Sequence, residues 1–303
     1  MFGYRLNTPR KITYLFILLY GCTNNPKNIE NELVLENGLY YNKNSNKPHT
    51  GEVFSNFNDQ RKKISGNLLN GRKDGAWIEW HGNGKIRSQE NYVNGQAEGT
   101  WEHWHENGNM ILRASFKNGN AHGMRTEWHD NGKKKQEGNF KNNEYDGRWS
   151  KWYLTGSLSA QGRYIKNKEE GRHTFWYSNG QKKSEAVFSN GQIVGDRIDW
   201  YQNGQKKEHG TAKGLWTQWY ENGVKKAEGQ YKDQLPIGKH TIWHSNGNKR
   251  STMNFINGLP HGQRIEWYEN GEKKEVGNFV SGNQSGTWTY YNKDGSLDGT
   301  EEY

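Results

Sequence analysis

Histidine is the residue type that most suggests metal chemistry in this sequence, because eleven histidines occur in 303 residues. His81, His105 and His129 recur at intervals of 24 residues. If each interval is one two-stranded hairpin, equivalent side chains stand about 9.6 Å apart, whereas one zinc ion needs histidine nitrogens at about 2.0–2.1 Å. His103 and His105 share one face of a strand, but two ligands make a weak site. We therefore expect these histidines to be structural, with no metal ion and no cofactor.

The usual groupings of catalytic residues do not occur in the sequence. We find no Ser-His-Asp set, no phosphate-binding glycine loop and no pair of carboxylates at helical spacing. The single cysteine, Cys22, allows neither an internal disulfide nor a site with several cysteine ligands. The sequence therefore predicts a protein that is not an enzyme.

Paired lysines form a second recurring group with chemical potential. The clearest pairs are Lys182-Lys183, Lys206-Lys207 and Lys225-Lys226. In a regular array these side chains would form a basic stripe on one side, which could meet phosphates of anionic lipid or of nucleic acid. The alternative is that lysines keep a thin sheet soluble and block edge pairing. Nearby glutamates partly cancel the charge, so we favour the second interpretation, rank lipid above nucleic acid, and do not expect nucleic acid as a partner.

The spacing of glycine gives the organisation that positions these groups. One glycine recurs six times at 24 residues, then once at 19, then three times at 24. These anchor glycines are Gly51, Gly75, Gly99, Gly123, Gly147, Gly171, Gly195, Gly214, Gly238, Gly262 and Gly286. We number positions from each anchor, so that position 2 is two residues after it. Internal repetition at this period predicts a repeat protein built of one supersecondary unit.

All fourteen tryptophans fall at two positions of this unit. Five lie at position 2: Trp77, Trp101, Trp149, Trp216 and Trp288. Nine lie at position 5: Trp80, Trp104, Trp128, Trp152, Trp176, Trp200, Trp219, Trp243 and Trp267. Because side chains alternate along a strand, positions 3 and 5 should share one face and positions 2, 4 and 6 the other. We expect the position 5 tryptophans to form a ladder on the better-buried face.

The position 2 tryptophans are then the candidate binding residues, together with the six paired lysines. Aromatic side chains on the more exposed face could stack against a partner, since aromatics carry much of the energy of interfaces. The alternative is that they only stabilise hairpins that have no second layer.

Each unit is predicted to be a β-hairpin followed by a second turn. Asn83-Gly84 and its equivalents after position 5 favour a type I′ turn, which needs positive φ at both residues. A second strand ends on an aromatic at position 17, such as Tyr92, before a turn such as Asn94-Gly95. Small residues at position 15, such as Gly138, should leave room for an indole. The 19-residue unit predicts a shortened hairpin with a local bend.

The N-terminus is typical of an exported protein. Arg5, Arg10 and Lys11 precede the apolar run of residues 12–20, which is too short to span a bilayer. Leu19-Tyr20-Gly21-Cys22 resembles a bacterial lipobox, in which the cysteine is lipidated after cleavage. The prediction is a signal peptide at 1–21, lipidation at Cys22 and a polar tether at 22–32.

Composition agrees with a thin, repetitive sheet rather than a thick core. Only 30% of the residues are hydrophobic, whereas globular domains average about 45–50%. The 14% aromatic residues and 38 glycines argue against simple disorder. The net charge of +9 is compatible with anionic partners but is weak evidence for them.

The motif Gly-x-Trp-x-x-Trp-(Tyr/His)-x-Asn-Gly, a lysine-rich strand and (Phe/Tyr)-x-Asn-Gly resemble the MORN repeat, in the variant of YwqK-type antitoxin proteins. The resemblance covers residues 33–303 and departs from the motif in the first full repeat at Asn56 and Gln60. It implies an elongated, single-layer antiparallel sheet. For function it implies an antitoxin, a scaffold or a lipid-associating module.

These observations together predict an all-β chain with four parts. They are a signal peptide (1–21), a tether (22–32), a leading hairpin (33–50) and tandem 24-residue repeats (51–303). We expect a lipoprotein of the bacterial envelope, at the outer membrane or cell surface, that binds a protein partner as a scaffold. The alternatives are an antitoxin that neutralises a toxin by direct binding, and a module that binds anionic lipid.

Overall fold

A computed structural model describes residues 25–211 and 213–303. The predicted signal peptide and the lipidation site Cys22 lie outside these residues. The chain begins with β1 (Lys27–Asn28), α1 (Ile29–Glu32), β2 (Leu33–Glu36) and β3 (Leu39–Asn42). The repeats then form β4 (Gly51–Asn56), β5 (Lys62–Leu69), β6 (Arg72–Trp80), β7 (Ile86–Val93), β8 (Gln96–Ala97), β9 (Gly99–Trp104), β10 (Met110–Lys117), β11 (Asn120–Trp128), β12 (Lys134–Lys141), β13 (Glu144–Trp152), β14 (Leu158–Ile165), β15 (Lys168–Trp176), β16 (Lys182–Ser189), β17 (Gln192–Trp200), β18 (Lys206–Gly210), β19 (Leu215–Trp219), β20 (Lys225–Lys232), β21 (Leu235–Trp243), β22 (Lys249–Ile256), β23 (Leu259–Pro260), β24 (Gly262–Trp267), β25 (Lys273–Val280), β26 (Asn283–Tyr291) and β27 (Leu297–Glu302).

The strands from β4 to β27 pair in chain order as consecutive antiparallel hairpins of one long sheet. β8 with β9, and β23 with β24, are the two halves of single interrupted strands. β1 lies parallel to β4 at the first edge, and β2 and β3 form a separate hairpin. This architecture confirms the predicted all-β sheet of tandem hairpins. Among the described residues, no helix has the length and apolar character needed to cross a bilayer.

The two turns of each unit have different geometries. At the first turn, His81 N–H donates to the Lys85 carbonyl and Gly84 N–H to the His81 carbonyl, and Gly84 has a φ of 84°. Asn83 has no positive φ, so the predicted type I′ turn is wrong here. The loop is a three-residue turn with glycine in the left-handed region, and the Asn83 side chain accepts the Lys85 N–H at 3.0 Å.

The type I′ geometry belongs instead to the second turn. There Asn94 and Gly95 have φ values of 50° and 80°. The Gly95 N–H also donates at 2.7 Å to the carbonyl of Lys73, which follows the preceding second turn. Second turns are therefore linked to one another along one edge of the sheet.

The anchor glycines are needed for a β-bulge. Ala114 pairs with Arg125 and Phe116 pairs with Ala121. The chain therefore advances two residues along β10 where it advances four along β11. Gly123 lies within the longer segment and has a φ of 96°, a conformation that favours glycine. The 24-residue glycine period therefore marks a backbone irregularity rather than a turn.

The shortened hairpin predicted for the 19-residue unit is confirmed. β18 and β19 have five residues each, and they pair without a register shift. The missing residues all come from the second-turn half of the unit. On the first-turn side, Tyr201 Oη donates to the Trp219 carbonyl at 2.9 Å, as Tyr220 donates to Trp243 at 2.8 Å in the next unit. The first-turn edge therefore continues without interruption, and the bend expected at this unit stays a prediction.

The leading hairpin packs against the start of the sheet and forms an apolar cluster with it. Leu33, Val53, Leu68 and Trp77 are buried together, with Ile29 packed against them. Residues 27–32 were expected to belong to a polar tether, and this is wrong, because they form β1 and α1. The side chain of Ile29 gives α1 an apolar contact with the core, which the asparagine-rich composition concealed.

Candidate binding surface

The position 2 rings lie on the same face of the sheet as the aromatics at position 17, and we call this the second-position face. The ring centre of Trp101 is 5.1 Å from that of Tyr92 and 4.6 Å from that of Phe116, which precede and follow it along the sheet. Trp149 meets Tyr164 edge to face at 5.7 Å. The rings alternate along the array, and such contacts contribute about 0.5–1.5 kcal/mol each beyond burial.

This face is the better buried one, which reverses the expectation from sequence. Trp77 and Trp288 are 5% and 1% exposed. The position 5 tryptophans, on what we call the fifth-position face, are all only partly buried. The expected exposure of Trp77 and Trp288 is therefore wrong, because the small residue and the aromatic of the second strand both point to the second-position face.

Several position 2 rings also make hydrogen bonds to the bulged strand, whereas the buried Nε1 of Trp288 has no partner among the described residues. Trp77 Nε1 donates to the Asn67 carbonyl at 3.0 Å, and Trp101 Nε1 to the Asn91 carbonyl at 2.9 Å. Both carbonyls belong to position 16 of the preceding unit. His173 Nε2 occupies the same place at 2.8 Å from the Arg163 carbonyl. A histidine at position 2 therefore places a ring nitrogen at the same carbonyl as the indole does.

The residue eleven positions before each ring decides which side chain fits at position 2. A Cβ at Gly277 would lie 2.6 Å from Cγ of Trp288 and still closer to other ring atoms. Five rings lie over a glycine in this way, in the pairs Gly66–Trp77, Gly138–Trp149, Gly162–His173, Gly229–His240 and Gly277–Trp288. Where the earlier residue is alanine or methionine, position 2 is arginine, in the pairs Ala114–Arg125, Ala186–Arg197 and Met253–Arg264. Trp101, eleven residues after Glu90, departs from this pattern. The predicted space for an indole is confirmed at Gly138 and Gly277, whereas Gly162 and Gly229 accommodate an imidazole, and each ring belongs to the following unit.

The tyrosine or histidine at position 6 links neighbouring units at the first-turn edge. Tyr153 Oη donates to the Trp176 carbonyl at 2.7 Å, and His81 Nε2 lies 2.8 Å from the Trp104 carbonyl. The asparagine at position 8 makes a parallel link, as where Asn83 Nδ2 donates to the Glu106 carbonyl at 2.8 Å. Within the described ranges, no three His, Cys, Asp or Glu side chains are grouped to hold a metal ion.

A second bulge separates the two lysines of each pair. In the unit of Gly214, Gln218 pairs with Ala227 and Trp219 with Lys225, so Lys226 is the extra residue. The first lysine of each pair lies over a position 5 tryptophan: Lys182 is 5.6 Å from the Trp200 ring centre, Lys206 is 5.8 Å from Trp219, and Lys225 is 5.3 Å from Trp243. The second lies over a position 6 tyrosine: Lys183 is 5.7 Å from Tyr177, Lys207 is 5.8 Å from Tyr201, and Lys226 is 5.8 Å from Tyr220. Adjacent positions 5 and 6 point to opposite faces, so the expectation of one basic stripe is wrong and two rows exist.

The row on the fifth-position face is largely neutralised by glutamate. Lys182 Nζ lies 2.8 Å from Glu185, and Lys225 Nζ lies 2.7 Å from Glu228. Burial raises the pKa of Glu185, but the hydrogen bond and charge of Lys182, with the charge of Arg172, outweigh it and hold that pKa below its ordinary value. In the described part of the chain, Lys183, Lys207 and Lys226 make no ion pair with a carboxylate. Lys206 of the fifth-position row also makes no ion pair within the described residues, so the second-position face is the one on which all three cations of these units are unpaired.

A groove of about 530 Å³ lies on the second-position face across the units of Gly214, Gly238 and Gly262. Its floor contains the rings of Trp216, Tyr231, His240 and Phe255. Lys226, Arg250 and Arg264 also line it, but Arg264 is tied to Glu266 and Glu275 at 2.5 and 3.1 Å. Of the eleven candidate residues in the described part, the groove brings together Trp216 and Lys226.

Trp216 differs from the other position 2 tryptophans because of the short unit. That unit lacks position 16, and Trp216 Nε1 donates instead to Glu208 Oε1 at 3.0 Å. The residue that should lie beneath the ring, Gly210, has nothing within 4 Å of its Cβ direction. Because these residues are missing, Trp216 has neither a close contact with Gly210 nor a position 16 carbonyl for its N–H, and its ring lines the groove. Sequence spacing located this irregularity but not its effect on the ring.

The chain matches the protein family described as "MORN repeat variant" at residues 73–94, 97–118, 121–142, 169–190, 212–233 and 260–281. None of the curated proteins compared matches the chain. Three solved structures are similar to it, "Crystal Structure of TcdB2-TccC3-TEV", "Crystal Structure of TcdB2-TccC3-Cdc42" and "Crystal Structure of TcdB2-TccC3". They share 12%, 11% and 12% identity with it, each at a TM-score of 0.19, over 83%, 86% and 86% of this chain. The chain spans only 15%, 15% and 16% of their lengths. Six segments of this chain are therefore repeats of the MORN variant type.

Proposed function

We propose that this chain is a non-enzymatic lipoprotein of the bacterial envelope whose repeat sheet binds a protein partner and acts as a scaffold. The observation that carries the proposal is the groove of Trp216, Tyr231, His240 and Phe255, rimmed by Lys226 and Arg250. MORN repeats are commonly protein- or lipid-binding modules. Aromatic rings with flanking cations are the composition that protein interfaces favour.

A protein partner fits this groove better than a small molecule does. The groove extends across three units, whereas sites for small ligands are concave and bury most of the ligand. Ile242 lines the groove and is 40% exposed, so its apolar side chain is accessible to a partner.

The partner is identified by a crosslinker placed in the groove. Benzoylphenylalanine at Ile242 should capture a protein in cells, whereas the same group at the exposed Lys239, on the opposite face, should capture none. Equal capture at both positions, or no protein at Ile242, would contradict the proposal. The resemblance to YwqK-type antitoxin proteins makes a toxin one candidate, so a toxin at Ile242 would convert the scaffold role into an antitoxin role.

The lipid anchor is tested separately, since it depends on the sequence of residues 19–22 alone. Globomycin or Cys22→Ser should leave an uncleaved precursor and remove the acylated form from membranes. Cys22→Ser is paired with a control in which Thr23 is replaced by Ser, which should be processed normally. A precursor unaffected by globomycin, with all of the protein in the soluble fraction, would exclude the anchor but not the binding groove.

A further inference from the structure

The second-position face carries a row of four cations that no carboxylate of the described chain neutralises. They occupy position 12 of four consecutive units, as Lys183, Lys207, Lys226 and Arg250. All four side chains are exposed. Building on the proposed function, we propose that the protein partner presents an extended acidic segment that crosses the strands along this row, with one carboxylate at each cation.

Neighbouring units show why these four cations are available. In two units with glutamate at position 4, the position 12 cation is paired within its own unit: Arg87 lies 3.2 Å from Glu79, and Lys274 lies 3.3 Å from Glu266. In the unit of Gly123, Glu127 is paired instead with Arg125 at 2.7 Å. In the four units of the row, position 4 is Phe175, Asp199, Gln218 or Ile242. Only Asp199 is acidic among these, and it is paired with Arg197 at 3.0 Å. Three of these units therefore lack an acid at position 4, and in the fourth the acid is already paired with another cation.

The row remains evenly spaced across the short unit. The deletion affects only the second-turn half, and the Tyr201–Trp219 and Tyr220–Trp243 hydrogen bonds, at 2.9 and 2.8 Å, are equivalent on either side. Two strands per unit place successive cations about 9.6 Å apart. The deletion therefore leaves the charges in line while it opens the aromatic floor beside them.

This spacing selects the form of the ligand. A polyproline II chain rises about 3.1 Å per residue and repeats every three residues, so every third side chain returns after about 9.3 Å. A fully extended strand gives about 10 Å for the same interval but turns every third side chain to its opposite face, so the polyproline II form is the one that fits. An acidic residue at every third position therefore matches the row, and an apolar residue between them can reach Trp216, Tyr231 or Phe255.

The proposal is tested with two synthetic peptides of identical composition and the full processed protein. One peptide contains four Glu-Pro-Leu triplets, and the other has its four glutamates adjacent, followed by Pro-Leu repeats. Fluorescence anisotropy should show at least tenfold tighter binding of the triplet peptide, weakened by raising NaCl from 0.05 to 0.5 M. Equal affinity of the two peptides would overturn the spacing argument.

Matched triple variants show which row is responsible. K207Q/K226Q/R250Q should weaken binding of the triplet peptide at least tenfold, whereas K206Q/K225Q/K249Q, on the adjacent residues of the opposite face, should change it less than twofold. Circular dichroism checks that both variants keep the β-sheet. No difference between the variants would overturn the proposal, and so would binding of phosphatidylglycerol vesicles through the same row in the absence of peptide binding. A protein captured at Ile242 despite either result would leave the proposed function intact.

Discussion

Gly162→Ala tests whether the residue eleven positions before each ring determines the packing of the sheet. The added Cβ would lie 2.6 Å from Cγ of His173 and closer to Nδ1 and Cε1. Gly162 has no positive φ, so alanine suits the backbone and the whole cost comes from displacing the imidazole. That ring is 1% exposed and lies 5.2 Å from Tyr164 and 5.1 Å from Phe188.

The expected loss follows from two contributions. Overpacking of a well-packed site costs about 1–3 kcal/mol. Loss of the His173–Arg163 hydrogen bond, 2.8 Å long, adds about 0.5–1.5 kcal/mol. Urea unfolding followed by tryptophan fluorescence should therefore report a decrease of roughly 2–4 kcal/mol. Because repeat arrays are stabilised by nearest neighbours, amide exchange should accelerate mainly in β14 and β15.

Two further variants distinguish this mechanism from a general intolerance of alanine. Gly82→Ala makes the same change at a glycine with no positive φ and no atom near its Cβ, and it should alter stability by less than about 0.5 kcal/mol. Gly162→Ala with His173→Arg recreates the Ala186–Arg197 pair of the next unit and should recover at least half of the loss. A single variant as stable as Gly82→Ala, or a double variant less stable than the single one, would refute the packing argument.

Three other predictions follow from the links between units. Tyr177→Phe removes a 2.8 Å hydrogen bond to the Trp200 carbonyl and should lower the free energy of unfolding by about 1 kcal/mol in urea titrations. Lys182→Gln breaks the ion pair with Glu185, whereas Lys183→Gln breaks none, so only the first should lower stability, by less than about 1 kcal/mol because the lysine is half exposed. The folded-state pKa of Glu185 is lowered, so its stabilisation is present above pH 4.5 and is lost as the pH falls through the folded value. The stability advantage of the native chain over Glu185→Gln should accordingly shrink between pH 6 and 3, and a constant difference would contradict this assignment.

The repeat architecture was predictable because its signals are local. Asn-Gly turns, anchor glycines and the two tryptophan positions each mark a hairpin without reference to any distant residue. The same sequence could not show which face is buried, since alternation along the first strand is symmetric between positions 2 and 5. That choice depends on the second strand, where Gly138 and Phe140 point to the same face. Comparing the residue types at positions eleven residues apart would have identified the buried face.

The lysine pairs show a different limit of the sequence. Adjacent lysines suggested one basic stripe, yet the bulge at Lys226 sends its side chain to the opposite face from that of Lys225. A bulge of one residue carries no strong composition signal of its own, because the extra residue is any residue that suits the surface. Charge rows in such arrays therefore have to be assigned after the bulges are located.

Function in this array is best sought where the units differ, because the residues that the units share already pack and hydrogen-bond within the sheet. The position 2 rings of His173 and His240 each have a glycine beneath them, aromatic neighbours and a carbonyl at hydrogen-bond distance from a ring nitrogen. Trp216 has lost the contact with its glycine and the position 16 carbonyl, since the unit before it is five residues shorter. The same units lack the position 4 glutamate that would neutralise Lys226 and Arg250. An open ring and unpaired cations in one place have two independent sequence causes, and packing of the sheet requires neither.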